Sequence, residues 1–214
     1  METVGYIFFD IGYTLVNEDR AWTERCREQD AMPQALSMGI SAQTLLSEVQ
    51  KASASFKPQW RSVIEKFGFA ESAKYKSEFE ILYDDACRVL QELSKRFRLG
   101  IIANQSGDLS ARLHCWKIDK YFETVVSSSD YGFAKPDKRL FVAALEQSGC
   151  SARNAVMVGD RLDNDILPAN ELGFKTVRIM QGFAKSQIAP SADYEPTYVV
   201  NNLTELLALP FVSA

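Results

Sequence analysis

Large apolar residues fall along this chain in short bursts: "YIFF" at 6–9, "LGIIA" at 99–103, "TVV" at 124–126, "AVMV" at 155–158 and "TVRIM" at 176–180. Each is too short for a helix and rich in Ile, Val or Phe, so each predicts a buried strand. Helical periodicity fills the later intervals, over 84–97, 107–117, 137–148 and 163–172. Strand and helix in alternation predict an α/β fold, a parallel sheet covered by helices on both faces. The rhythm breaks once. Residues 17–83 carry helical patterning where a crossover needs only about a dozen residues, with Ser41 as an N-cap and Gly68 ending "QWRSVIEKFGF". This predicts a helical cap inserted over the C-terminal edge of the sheet. The core is then built from 1–16 and 84–214, with a loop over 183–196, a last strand "YVV" and a last helix "LTELLAL".

With 214 residues, 46% of them hydrophobic, the chain can bury a sizeable core. Its net charge of −4 and lack of a dense basic run argue against a nucleic-acid surface. Cys26, Cys87, Cys115 and Cys150 lie far apart with no CxxC spacing, which predicts buried reduced thiols, neither a zinc site nor a disulfide framework. Glu2 stands where a signal peptide needs positive charge, Asp10 interrupts the first apolar run, and no stretch approaches the roughly 20 apolar residues of a membrane span. A cytoplasmic protein with no membrane partner is expected. Its oligomeric state is not written in the sequence.

In an open parallel sheet, ligands sit outside the carboxyl ends of the strands, and the polar residues gather there. Asp10 ends the first run, Asn104 follows the second, Ser127, Ser128 and Ser129 follow the third, and Asp160 ends "VMVGD"; Lys135 lies between the last two, before Pro136. Asp163, Asn164 and Asp165 have an ordinary alternative as helix caps. Asp10 is harder to dismiss, since an unpaired carboxylate ending a buried strand is costly to desolvate. Two acids and a lysine at one edge suggest a metal and a phosphoryl group. A phosphate charge and a carboxylate about 4 Å apart repel by about 4 kcal/mol at an effective dielectric near 20, which a cation must offset. Oxygen ligands from Asp10, Asp160 and a backbone carbonyl suit Mg²⁺. Lys135 would hold nucleophile and phosphate together, with Thr14 and the amides after Asp10 donating to phosphate oxygens.

The order of these motifs resembles the haloacid dehalogenase-like hydrolase superfamily. "FFDIGYTL" is similar to its first motif, D-x-D-x-T; "LGIIANQS" to its second; Lys135 in "KPD" to its third; and "GDRLDND", through Asp160 and Asp165, to its fourth, G-D-x-x-x-x-D. The resemblance implies a Rossmann-like, three-layer α/β/α core with a helical cap inserted after the first motif, Mg²⁺, and an aspartyl-phosphate intermediate. Carried over, it makes Asp10 the nucleophile, Gly12 the carbonyl ligand, Asp160 the second acidic metal ligand and Asp165 an orienting group behind them. The implied activity is a phosphatase acting on a small phosphorylated metabolite.

Two positions depart from the pattern. The second aspartate of the first motif, which the family uses to protonate the leaving group and activate water, is Gly12, and the Thr or Ser of the second motif is Ala103. Acid–base help is worth roughly 10²- to 10⁴-fold, so alkyl phosphates should be slow substrates and aryl, acyl or anhydride phosphates less affected. Asn104, placed as a substrate-binding residue, and Ser106 could replace the hydroxyl lost at Ala103. Gly12→Asp is expected to raise alkyl phosphate hydrolysis. Glu18, Asp19 and Glu24 are candidates for a relocated acid, although solvated charges are the simpler reading of each.

Other readings compete. One is a catalytically lapsed member that binds a phosphorylated ligand or a protein partner. Another is a haloacid hydrolase, which Asp160 opposes. A third is a phosphonate hydrolase needing an imine-forming cap lysine, among Lys51, Lys57, Lys66, Lys74 and Lys76. His114 reads as an ordinary helix residue, and Trp22 and Trp60 as cap packing.

Overall fold

The computed structural model describes residues 4–213, so Glu2 and the ends of the expected core ranges lie outside the described residues. A six-stranded parallel sheet forms the centre. Its strands are β1 (Tyr6–Phe9), β4 (Arg98–Ala103), β5 (Phe122–Ser127), β6 (Ala155–Gly159), β7 (Lys175–Ile179) and β8 (Tyr198–Val200), in the order β5-β4-β1-β6-β7-β8. Between β1 and β4 the chain forms β2 (Val16–Asn17), helices α1 (Asp19–Asp30), α2 (Pro33–Met38), α3 (Ala42–Ala54) and α4 (Gln59–Phe67), and then β3 (Ile81–Leu82). The remaining helices are α5 (Ala86–Leu93), α6 (Leu109–Cys115), α7 (Ser128–Tyr131), α8 (Lys138–Ser148), α9 (Leu167–Leu172) and α10 (Pro210–Ser213).

The unbroken apolar run of β1 follows from its central place, because a strand covered on both sheet faces has no solvent side for polar residues. Ile7 and Phe9 point into a core with Leu90 and Leu93 of α5, Leu113 of α6, and Leu203 and Leu206. Tyr6 and Phe8 point the other way, against Leu140, Phe141 and Ala144 of α8 and Ala169 of α9. The chain therefore has the Rossmann-like three-layer α/β/α core.

The helices α1 to α4 share a third core around Trp22, Leu45, Val49, Trp60 and Val63, into which Tyr13 and Phe183 also pack. Ser41 caps α3 by accepting from the Thr44 amide at 3.2 Å, and Gly68 ends α4 at φ 64°, a left-handed conformation that costs glycine nothing. Both passages between sheet and helices run side by side as an antiparallel ribbon, with Val16 opposite Leu82 and Asn17 opposite Ile81. These two-residue strands are too short to leave a periodic signal.

Several elements differ from the pattern. The helix expected from "LTELLAL" is a 3₁₀ helix over Leu203–Ala208, followed by α10, and residues 163–172 divide into a π turn, Leu162–Ile166, and α9. Pro168 in the first turn of α9 has no N–H to return to the preceding turn, which lets that turn widen. The expected loop at 183–196 holds two 3₁₀ turns and packs on the helices, Phe183 lying 5.0 Å from the Tyr13 ring and Gln187 donating to the Ser53 carbonyl at 2.8 Å. The cysteines are all free thiols, but Cys26 alone is buried; Cys87 and Cys115 lie on the outer faces of α5 and α6. No helix among the described residues is long and apolar enough to cross a membrane.

Candidate active site

Strand register brings the two acids together. Phe9 of β1 stands opposite Val158 of β6, and the Asp10 amide donates to the Val158 carbonyl at 2.9 Å, so Asp10 and Asp160 leave the same edge of adjacent strands. Lys135, from the turn before α8, reaches in to join Asp10 to Asp165. Its ammonium donates to Asp10 Oδ1 and to Asp165 Oδ1, both at 2.6 Å. The second oxygen of Asp165 accepts from the Arg161 amide at 3.0 Å. The Asp165 carboxylate also lies against Gly159, where any Cβ would overlap it. A glycine at the end of β6 is therefore the condition for Asp165 to reach the lysine.

Asp10, Asp160 and Asp165 are buried, and each offers an oxygen within 4.8 Å of the others. Burial, then the charges of Asp165 and Asp10, push the Asp160 carboxyl well above the ordinary carboxylate range. Burial raises Asp165 to about 6 against the pull of Lys135. Burial also opposes the Lys135 ammonium, but Asp10 and Asp165 outweigh it and hold its pKa above that of a free lysine. The Arg161 guanidinium in this pocket wall is paired to Asp163 at 2.7 Å. This all-oxygen set with excess negative charge fits a hard divalent cation such as Mg²⁺.

The space over Gly12 is filled. A Cβ built on Gly12 would overlap Oε1 of Glu18 and lie 2.9 Å from its carboxyl carbon. Glu18 follows β2 and precedes α1, and the Trp22 indole one turn along donates to its Oε2 at 3.0 Å. Burial, then Glu80 and Asp10, raise the Glu18 carboxyl to about 8. The turn that carries it there is wide. The Ile11 carbonyl accepts from the amides of Thr14, Leu15 and Val16, while Tyr13 takes a left-handed φ of 50° and donates its hydroxyl to Asp19. Of the other acid candidates, Asp19 is thus engaged by Tyr13 and Glu24 pairs with Arg27 on the surface.

Other expected contacts land elsewhere. Asn104 borders the cavity, but its side-chain amide donates to the Lys135 carbonyl at 2.9 Å and its oxygen accepts from the Lys135 amide at 2.7 Å. It thereby holds the lysine backbone while lining both this cavity and its neighbour. Thr14 is fully buried and its hydroxyl has no partner among the described residues; it is not on the cavity wall, so it does not face a phosphate there. Ser106 bonds to Asp108, and Ser127 to the Gln105 carbonyl. His114 is exposed beside Asp119. None of the cap lysines borders this cavity; Lys51 and Lys66 share Glu48, and Lys76 pairs with Glu28.

A cavity of about 120 Å³ holds Asp10, Gly12, Glu18, Lys135 and Asp160 on its wall. It shares Glu18, Gln59, Asn104 and Gln105 with a second cavity of about 450 Å³ lined also by Trp22, Arg25 and Tyr75. The Arg25 guanidinium lies 4.2 Å over the Trp60 ring, its Nε donates to the Ala73 carbonyl, and burial lowers its pKa to about 10.

Residues 132–206, which contain Lys135, Asp160 and Asp165, match a family model described as HAD-hydrolase-like. The chain is 40% identical over 90 residues to a glyceraldehyde 3-phosphate phosphatase of Methanocaldococcus jannaschii, an alignment covering 42% of this chain and 38% of that protein. It is 35% identical over 123 residues to the pyrimidine 5'-nucleotidase YjjG of Escherichia coli, covering 56% and 53%. The chain thus spans between about a third and a half of the length of these curated relatives. Its fold is similar to that of the HAD-hydrolase YfnB from Bacillus subtilis, solved bound to magnesium, with a TM-score of 0.73, 22% identity and 96% and 98% coverage. The order of the four motifs, the strand order that unites them and these likenesses agree: residues 132–206 are similar to the HAD-hydrolase-like family, and the whole chain shares the fold of a HAD-hydrolase.

Proposed function

We propose that the protein is a Mg²⁺-dependent phosphatase acting on a small phosphorylated metabolite through an aspartyl-phosphate. The observation that carries this reading is Lys135, buried and bonded at once to Asp10 and Asp165 at the edge where Asp160 emerges. A cation so placed aligns the Asp10 carboxylate and offsets the charge of an incoming phosphoryl group. Asp10 and Asp160, with the Gly12 carbonyl, would hold the metal, which when bound supplies the positive charge that lets a carboxylate approach a phosphate dianion. Asp10 then attacks phosphorus, and water hydrolyses the resulting aspartyl-phosphate. Asp165 orients Lys135, and Asn104 fixes its backbone.

The rest of the substrate would extend into the 450 Å³ cavity, whose size and mixed aromatic and polar wall suit a small metabolite. The likeness to a glyceraldehyde 3-phosphate phosphatase and a pyrimidine 5'-nucleotidase supports a phosphate ester as substrate class. Asp160 opposes the haloacid reading, and the absence of a cap lysine from the cavity wall opposes imine-based phosphonate cleavage. A cytoplasmic setting accords with such substrates, since charged esters do not cross membranes unaided.

The test is turnover of p-nitrophenyl phosphate and acetyl phosphate with and without Mg²⁺. Metal-dependent release of phosphate, abolished in Asp10→Asn, is expected. Tight calorimetric binding of a phosphorylated ligand without turnover would instead support the lapsed, ligand-binding reading.

A further inference from the structure

Every phosphatase step that makes a poor leaving group depart needs a proton at the bridging oxygen, and position 12 offers none. The glycine there is matched by a second carboxylate. Glu18 Oε1 stands where a side chain on residue 12 would begin, and the Glu18 carboxylate shares a cavity wall with Asp10, Lys135 and Asp160. We propose that Glu18 is the catalytic acid and base of this site, delivered from the entrance of α1 instead of from the loop after β1. The proposal rests on the phosphatase reading above.

The placement has a physical cause on each side. The indole N–H of Trp22 donates to Oε2 of Glu18, which turns the other oxygen toward the volume over Gly12. Tyr75 donates to Glu80, and Glu80 in turn pairs with the buried Arg112, so the wall behind Glu18 is a chain of bonded polar groups. On the opposite side, the absence of a Cβ at residue 12 is what admits the carboxylate. Gly12 and Glu18 are thus one solution to a single volume: an aspartate at 12 and a glutamate at 18 in this pose exclude each other.

In the first step the Asp10 oxygen forms a bond to phosphorus, the bond from phosphorus to the leaving oxygen breaks, and that oxygen keeps the electron pair and takes the proton of the Glu18 carboxyl. In the second, water attacks the phosphorus of the aspartyl-phosphate while the Glu18 carboxylate takes its proton. The bond to Asp10 breaks, and phosphate and the free Asp10 carboxylate are returned. Because Glu18 follows the ribbon strand β2 and precedes α1, the acid enters the site from the helical side.

The experiment compares wild type with Glu18→Gln, which preserves shape and an acceptor for Trp22, using glycerol 2-phosphate and p-nitrophenyl phosphate in the presence of Mg²⁺. Expected for Glu18→Gln is a fall of about 10²-fold or more in kcat/KM for the alkyl ester. With the aryl ester, a burst of one equivalent of p-nitrophenolate should precede a slow phase, and acid quenching should trap phosphate on Asp10. Should Glu18→Gln impair folding by circular dichroism, the double variant Gly12→Asp with Glu18→Ala is the second measure, expected to recover alkyl ester turnover to within tenfold of wild type. Equal losses on both esters with no burst, or no loss at all, overturn the assignment of Glu18 while leaving the phosphatase reading intact. Wild type that hydrolyses neither ester and forms no phosphoenzyme overturns the phosphatase reading, and the role of Glu18 with it.

Discussion

The two walls of the Asp10 cavity are held by different kinds of interaction. On the β6 side, Lys135, Asp165, Gly159 and the Arg161 amide lock one another within a few residues of strand ends, and every oxygen of Asp165 has a partner. On the cap side, the same cavity is closed by Gly12 and by Glu18 from the far side of a two-residue strand, held by the Trp22 indole. The first wall depends on sheet register and tolerates little change. The second brings a carboxylate into the volume over Gly12 from the entrance of α1, a different backbone position from the loop after β1.

The largest effect should come where both walls meet. Asp10→Asn is expected to lower acetyl phosphate turnover by about 10⁴-fold or more, and a loss below tenfold would show that neither wall serves a nucleophile. Next is Lys135→Met, which leaves Asp10 and Asp165 buried without their cation. A loss of about 3–5 kcal/mol in urea unfolding of the metal-free protein is expected, and a small loss would mean that the β6 wall is less tightly coupled than its bonds suggest.

Mg²⁺ at about a hundred times its dissociation constant should add about 2.7 kcal/mol to the stability of wild type and far less to Asp160→Ala, read from thermal melts. Gly12→Asp alone should cost about 1–3 kcal/mol, because the new side chain overlaps Glu18. The smallest change is Trp22→Phe, which removes the indole N–H from Glu18; a loss of about 1 kcal/mol by melting is expected, with the aryl ester less affected than the alkyl ester in kcat.

Much of the fold was legible because burial on both faces imposes continuous apolar runs, and β1, β4, β5, β6 and β7 all carry one. The ribbon β2 and β3 was not, since two residues hold no period, and the 3₁₀ form of 203–208 and the π turn at 162–166 depend on local hydrogen bonding that apolar spacing does not encode. In the site, Asp10, Lys135, Asp160 and Asp165 could be named because each stands beside a recognisable strand end or turn. Asn104 could also be found there, but not its bonds to Lys135, since they are set by the backbone of a residue 31 positions away.

The sequence by itself determined the alternation of strands and helices, the inserted helical region and the residues that face outward at the strand ends. It did so because hydrophobic period and strand termination are local properties of the chain. Only the tertiary structure decided that Glu18 lies over Gly12, that Thr14 is buried off the cavity wall and that Asn104 grips the Lys135 backbone. Each of those outcomes depends on which volumes are left open once distant elements pack, and no spacing along a chain records an empty volume.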